Sequence, residues 1–494
     1  MSRRTALVPV PNGGCVPLAA LAPLPASDLA AEVGAELAGG GRLSAWFGVR
    51  TPEGIRLVAV VARDRDGELL AGRSLPTCDP FPALTPLHPQ AHLFEREIRE
   101  LHGLEPAGHP WLKPVRSASE RGPATAPVFC VEGGEIHEVA VGPVHAGVIE
   151  PGHFRFQCHG EEVLHLEIAL GYQHRGIEAA LVGGPHPATM VQVEATAGDA
   201  TIAHATAHAS VLEALGGTEA PARGRWLRAV ALELERMANH AGDLGALAGD
   251  VAYLPTAAAC GRIRGDFLNL TALVCGNRFG RRLVRPGGCR YDLEETRRNL
   301  LAEGLARSTA EVMKAADWLW ASHSARSRFE GVGIVTAEQA REIGMVGVAA
   351  RASGLDLDVR RDHPVGRQGC ASPPVAVLPA GDVFSRARVR WLEMQASAAF
   401  LQEQLAGPPP DGPSALDSAP PRPECLALAL VESWRGEVCH IAVTGPDGRF
   451  LGYKIVDPSF HNWTGLALAM RGQAIADFPI CNKSFNLSYC GFDL

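Results

Sequence analysis

The sequence predicts an α+β chain in two parts: a small mixed unit over residues 1–120, then a larger, mainly helical one over 121–494 with peripheral β-hairpins. Three observations carry this. At 494 residues the chain exceeds what one ordinary hydrophobic core organises. The first part couples a β-like stretch to a short helical pattern. The second repeats long apolar periodicities of three to four residues, joined by short connections, as helical bundles do.

Residues 43–64, LSAWFGVRTPEGIRLVAVVARD, read as two strands around a Pro-Glu-Gly turn. Phe94, Ile98 and Leu101 then recur at helical spacing, with Gly103 as the stop signal. Residues 117–127 lack periodicity, carry two prolines and are expected to be a linker. The second part opens with short β-like segments around GPVHAGVIEPGHFRFQC. In 226–251 an apolar seam runs through Leu227, Val230, Leu234, Met237, Ala241, Leu244 and Ala248, as in a packed bundle helix. Similar patterns over 187–215, 291–323 and 384–405 are expected to be helices. Between 408 and 423, seven of sixteen residues are proline, which makes a loop the expectation. The following stretch alternates like a hairpin whose turn is Pro446, Asp447 and Gly448.

The formal net charge of -8 argues against a nucleic-acid partner, which would call for a basic stripe. No run of about 18 apolar residues is present to span a membrane, and the N-terminus lacks the apolar core of a signal peptide. A cytosolic chain is expected, with membrane association only through other subunits. The 20% content of charged residues is lean and suits a subunit that buries surface against partners. None of the twelve cysteines occurs as CxxC, the short spacing that brings two thiolates onto one metal. Cys481 and Cys490, close to the C-terminus, are read as packing residues.

Two polar patterns stand out. Glu233, Arg236, His240 and Asp243 form a stripe along the 226–251 helix, either the wall of a cavity or proton path, or a solvated or subunit-facing face. His204 and His208 have the i, i+4 spacing that can bind zinc, but no third ligand is near, so a pair of hydrogen-bonded core histidines is expected.

The block FEREIRELHGLEPAGHPWLKPVR resembles the C subunit of NADH:quinone oxidoreductase (complex I). LGYQHRGIE, ELERMANHAGDLGALAGDVAY, RGDFLNLTALVCGNRFGRRLVRPGG, RASGLDLDVRR, ESWRGEV and DPSFHNW follow in the order found in the D subunit of complex I and in nickel–iron hydrogenase large subunits. The chain is similar above all to the fused large subunits of membrane-bound, formate-hydrogenlyase-type hydrogenases.

That resemblance implies a bimetallic centre held by four thiolates in two pairs, because soft sulfur ligands suit nickel and low-spin iron. Here the first pair falls on Ala197 and Ala200 and the second on Ser488 and Gly491, so all four ligand positions are vacated and no metal is expected. The D subunit of complex I also lacks the thiolates and uses this region for the head of a quinone. The resemblance implies a histidine on a β-hairpin, for which His145 and His153 are the candidates, and a tyrosine where Gly198 stands. It places His174, Arg175 and Glu178 at the interface with a partner's iron–sulfur cluster.

The expected function is therefore an electron-transfer core subunit of a complex I-like, hydrogenase-related oxidoreductase. Electrons would come from an iron–sulfur small subunit resembling the B subunit of complex I, and pass to a quinone or another small acceptor. His145, His153, Glu194, His240 and Asp243 would handle protons. A ferredoxin-like subunit and antiporter-like membrane subunits complete the expected partners, on the cytoplasmic side of the membrane. Two alternatives stay open: a non-catalytic scaffold, and a hydrogenase with displaced ligands.

Overall fold

The protein is described from a computed structural model covering residues 6–116, 128–147, 149–365 and 372–494. The expected linker at 117–127 lies outside the described residues. In the first part, Val8–Pro9 (β1), Arg42–Thr51 (β2), Gly54–Arg63 (β3) and Glu68–Arg73 (β4) form an antiparallel sheet in the order β1-β4-β3-β2. Ala26–Ala38 (α1) and His92–His102 (α2) accompany it. Gly103 ends α2 in the left-handed conformation at φ 70°, which glycine adopts without steric cost.

The Glu-Arg-Glu element of α2 is structural. Glu95 accepts from the main-chain N–H of Leu84 and Thr85, and Arg96 donates to the carbonyls of Lys113 and Pro114. Glu97 binds Arg116 and, at 2.5 Å, Lys454 of the second part. A second buried pair, Arg42–Glu437 at 2.6 Å, also joins the two parts. The short strand Gly14–Pro17 crosses over as well, extending a C-terminal sheet.

The second part opens with Ile136–Val141 (β5), His153–His159 (β6) and Glu162–Ala169 (β7), an antiparallel sheet in the order β7-β6-β5. Its bundle consists of Thr201–Gly216 (α3), Ala222–Asp250 (α4), Leu254–Cys275 (α5), Glu295–Ala321 (α6) and Val383–Ala406 (α7). Two sequence expectations change here. The pattern over 187–215 is not one helix: Thr189–Glu194 stops, residues 195–200 turn, and α3 starts at Thr201. The segment after Pro423 is a meander, not a hairpin. Cys425–Glu432 (β8), Glu437–Thr444 (β9) and Phe450–Val456 (β10) order as β10-β9-β8 with Gly14–Pro17 at the edge. The missed turn is Ser433–Gly436, where Gly436 sits at φ 140°.

Apolar alternation marks a sheet with one wet face, whereas β8 and β9 are buried along their whole length. α3 covers part of this sheet. Pro458–Ala469 (α8), Phe478–Phe485 (α9) and Tyr489–Asp493 (α10) complete the chain. Along α4, Glu233, Arg236, His240 and Asp243 are all buried, so the solvated-face reading of this stripe is excluded.

Candidate functional site

The break at 195–200 and the turn at 486–491 are far apart in sequence and are tied together by two arginines. Arg435 chelates Asp199 with both terminal nitrogens (2.6 and 2.7 Å) and donates its Nε to the Asn486 carbonyl (2.6 Å). Its guanidinium lies 3.9 Å from the centre of the Trp434 ring. Arg175 donates to the carbonyls of Ala195 (2.6 Å), Thr196 (3.0 Å) and Cys490 (3.0 Å). Asn239 and Trp434 each donate to the Asp199 carbonyl at 2.9 Å. The backbone here is held from several sides, independently of any ligand.

The four positions at which the resemblance implies ligands do not suit a thiolate-held metal. Ala197 and Ala200 bury their methyl groups against Trp434. Ser488 caps α10, its Oγ accepting from the Gly491 N–H at 2.9 Å. At Gly491 a Cβ would stand 2.7 Å from Asp457 Cγ and Oδ2, so the Asp457 carboxylate occupies the space of a side chain. Cys490, one position away, has its Sγ 3.4 Å from Ser488 Oγ. Burial and the neighbouring Glu150 push its thiol up to about 12, so it is protonated at neutral pH. Burial likewise pushes Cys481 to about 12; it packs in the core against Gly333. Among the described residues no group of three or more His, Cys, Asp and Glu side chains is placed to share a metal ion. At Gly198, nothing beyond the chain neighbours lies within 4 Å of where a Cβ would stand.

The remaining candidates separate into groups. His145 lies in the loop of the β5–β6 hairpin, and His153 is the first residue of β6. His145 Nε2 is 2.9 Å from the Gly152 carbonyl, and burial followed by Arg155 lowers the pKa of His153. Gly152 packs on the Tyr489 ring, next to the second vacated pair. Glu194 is buried, accepts from the Arg282 N–H at 2.6 Å and is raised by burial. His174 Nδ1 bonds the Asp493 carbonyl at 2.6 Å. Arg175 binds carbonyls and not a carboxylate. Glu178 accepts from the Ile455 N–H (2.8 Å) and pairs with Lys454 (3.1 Å).

His240 and Asp243 belong to a buried ionic wall behind the site. His240 Nε2 donates to Glu393 at 2.7 Å, while Arg351 holds the other Glu393 oxygen at 2.7 Å. Arg236 reaches Glu233 and Glu393, Arg351 also binds Glu432, and Arg360 binds Glu233 and Asp358. Burial raises Glu393, but Arg351 and His240 more than offset it and hold the carboxyl well below its ordinary range. Burial pulls His240 down in spite of Glu393, so it stays neutral. Three guanidinium groups face four carboxylates here, and Glu432 is the one in which burial outweighs the neighbouring arginines and leaves the carboxyl raised. Asp243 pairs with Arg390 at 2.6 Å and accepts from Asn486 at 2.5 Å, linking this wall to the 486–491 turn.

Sequence reasoning assigned no role to four residues that shape the site: Asp199, Glu235, Arg435 and Asp457. Arg435 and Asp457 lie within ESWRGEV and DPSFHNW, so the signal was their place inside blocks that carry the resemblance. Glu235 is one position off the apolar seam of α4. It accepts the free N–H groups of Ile202 (2.8 Å) and Ala203 (3.4 Å) at the start of α3. Burial pushes its carboxyl up to about 8, with Asp199 adding to the rise. His204 and His208 are hydrogen-bonded core histidines, as their spacing and lack of a third ligand led us to expect. His204 contacts His440 and Asp457 at 3.1 Å each, and His208 contacts Tyr453 at 2.6 Å.

Comparison with known proteins agrees with this architecture. Residues 250–424 match the model of the 49 kDa subunit of respiratory-chain NADH dehydrogenase, and residues 47–120 that of its 30 kDa subunit. Formate hydrogenlyase subunit 5 of Escherichia coli (strain K12) is 30% identical over 439 residues, covering 83% of this chain and 76% of that protein. Hydrogenase-4 component G of the same organism is 28% identical over 435 residues, covering 83% and 75%. Among solved structures, a chain of the membrane-bound sulfane sulfur reductase, an archaeal respiratory membrane complex, shares the fold. Its TM-score is 0.66 at 22% identity, over 73% of this chain and 99% of that one. No helix among the described residues is long and apolar enough to cross a membrane. The chain belongs to the family of core subunits that unites formate-hydrogenlyase-type membrane-bound hydrogenases with the 49 kDa subunit of respiratory NADH dehydrogenase.

Proposed function

We propose that this chain is the electron-transfer core subunit of a complex I-like, membrane-associated oxidoreductase that works without a nickel–iron centre of its own. An iron–sulfur small subunit docks beside His174 and Arg175 and supplies electrons one at a time. They are accepted where residues 195–200 and 486–491 come together, by a quinone or another small oxidant that takes two electrons and two protons. Ferredoxin-like and antiporter-like subunits complete the assembly, peripheral on the cytoplasmic side. The observation that carries this reading is the pair Arg435–Asp199 together with Arg175. They hold both motif loops in place although neither loop offers a thiolate.

Between these loops the Arg435 guanidinium, shared with Asp199, favours a reduced, anionic acceptor. Asp457 and Glu194 are the carboxyl groups we assign to proton exchange, and the buried wall at His240 and Glu393 supports the frame. Optical titration of the assembled complex with quinone analogues tests the reading. Reoxidation of the reduced partner cluster is expected to follow the analogue concentration; no dependence would sink it. Nickel analysis of the same preparation separates off the hydrogenase alternative, which a stoichiometric nickel content would revive.

A scaffold without chemistry is the second reading, favoured by the packing of Ala197 and Ala200 on Trp434. In that case Arg435→Gln would leave cluster reoxidation unchanged, whereas an electron acceptor held beside Arg435 requires it to slow.

A further inference from the structure

A row of four buried side chains runs from the core to Asp457. His208 Nδ1 lies 2.6 Å from Tyr453 Oη, and Tyr453 Oη lies 2.9 Å from His440 Nδ1. His440 Nε2 is 3.1 Å from His204 Nδ1, and His204 Nε2 is 3.1 Å from Asp457 Oδ2. All five groups are buried, and the last sits against Gly491 in the site described above. α3 supplies two of the histidines one turn apart, and the adjoining strands β9 and β10 supply His440 and Tyr453.

With one proton on each ring, the partners fix where the protons lie. Asp457 is a carboxylate, because burial raises its pKa less than His204 and Arg435 lower it. It therefore accepts from His204 Nε2–H, and His204 Nδ1 accepts from His440 Nε2–H. His440 Nδ1 in turn accepts the Tyr453 O–H, whose oxygen accepts from His208 Nδ1–H. Burial drives His440 well below its usual range and His208 to about 3, so both rings are neutral. The one atom left over is His208 Nε2, a bare lone pair with no partner among the described residues. Every donor in the row thus points toward Asp457, and the far end is free to accept.

We propose that this row, His208–Tyr453–His440–His204, is a proton relay that charges the His204–Asp457 pair beside the candidate site. A proton bound at His208 Nε2 releases the Nδ1 proton to Tyr453 oxygen. The phenol passes its own proton to His440 Nδ1, and His440 Nε2 gives its proton to His204 Nδ1. One proton has entered, one extra proton is shared by His204 and Asp457, the three hydrogen bonds from His208 to His204 survive with donor and acceptor exchanged, and His204 Nε2–H still donates to Asp457. No oxidant or reductant is involved. At the uptake end, the His208 ring is 6.3 Å from that of buried Phe450, whose main chain bonds Gly183 and Gly184 at 2.8 Å, next to exposed Pro185 and His186. At the other end, Arg435 is the charged side chain that acts on Asp457, and Asp199 pairs with Arg435. The role of this proton in reducing an acceptor rests on the function proposed above; the relay itself does not.

Nitrogen-15 histidine NMR of the full chain in its complex tests the row directly. His208 is expected to be protonated at Nδ1, and His440 and His204 at Nε2; any other arrangement of the three overturns the proposal. The ring N–H signals of His204 and His440 are expected to exchange with deuterium oxide together. Tyr453→Phe, which removes the only hydroxyl in the row, should slow that exchange by roughly 10²-fold. His208→Asn keeps a donor to Tyr453 in the place of Nδ1 but has no second site, so it preserves the structure and should slow exchange similarly. It decides the matter if Tyr453→Phe does not fold. Unchanged exchange in His208→Asn would mean that the row is only structural, and would overturn the relay. These signals read proton traffic without any acceptor, so they stand even if quinone analogues leave the cluster untouched.

Discussion

Two polar regions flank the long helix α4, and they make opposite use of their side chains. Behind it, Glu233, Arg236, Arg351, Glu393 and Glu432 form a dry ionic wall in which each charge faces an opposite one. In front of it, the loops at 195–200 and 486–491 carry methyl groups, a hydroxyl and a bare glycine where the family resemblance implies thiolates, yet arginines still pin both loops by their backbones. The frame is stabilised by ion pairs and carbonyl contacts that no metal ligand enters. The ligand positions can therefore change while the frame stays.

The largest effect should come from breaking the wall. Glu393→Gln removes the anion shared by Arg236, His240 and Arg351 and leaves buried guanidinium charge uncompensated, at a cost of roughly 3–5 kcal/mol. Chemical denaturation of the variant should show that loss. A change below about 1 kcal/mol would mean that the wall does not hold the frame.

Glu235 brings the comparison to the front of the helix, with a definite sign. Its carboxyl is raised from an ordinary 4.5 to about 8, so the native state keeps a proton that the unfolded chain releases. The stability this group allows is present below pH 4.5 and lost as pH rises through 8. Glu235→Gln should match the native chain near the lower pH and exceed it at the upper one by about a few kcal/mol. Equal stability of the two proteins at both pH values would show that Glu235 is ionised in the fold.

Much of this architecture was legible in the sequence because its helices bury a stripe. The seam from Leu227 to Ala248 sits inside Ala222–Asp250, and Gly103 ends α2 where expected. The break at 195–200 is hidden by the apolar content of 187–215, which continues on either side of it; Gly198 and Asp199 are its local signal, and Arg175 and Arg435 anchor the turn. The charged stripe on α4 read equally well as solvated. Its partners Arg351, Glu393 and Glu432 come from distant segments, and no periodicity announces them. Of the candidate site, the motifs alone give the positions at which the resemblance implies thiolates. Asp457, which fills the space beside Gly491, could be found only once the two segments were seen together.

Gly491→Cys tests whether that space can be recovered. The new Cβ would meet Asp457 at 2.7 Å and Ser488 Oγ at 2.9 Å. Overpacking of this kind costs about 1–3 kcal/mol. Combined with Ala197→Cys, Ala200→Cys and Ser488→Cys, it should still yield a protein without stoichiometric nickel, because Asp457 and Trp434 occupy the ground the ligands need. A melting temperature unchanged by Gly491→Cys would show that Asp457 yields easily, and would remove that barrier.

The smallest effect on stability, and the sharpest on the comparison, belongs to Gly198→Tyr. The residue is not in the left-handed region, and the space beyond its Cα is open, so a side chain can be added without strain. Surface-like additions of this sort change stability by no more than about 0.5 kcal/mol. The phenol would stand on the loop that Arg435 and Arg175 hold, where a quinone carbonyl could accept its proton. One hydrogen bond of about 1 kcal/mol should tighten binding of a quinone analogue roughly fivefold to tenfold, read by the same cluster reoxidation titration. Tighter binding with unchanged stability would mean that the front of α4 is a cavity built for a ligand and short of one donor. A loss of several kcal/mol instead would mean that the loop packs against something in the assembly, and the front of α4 would then be as closed as the wall behind it.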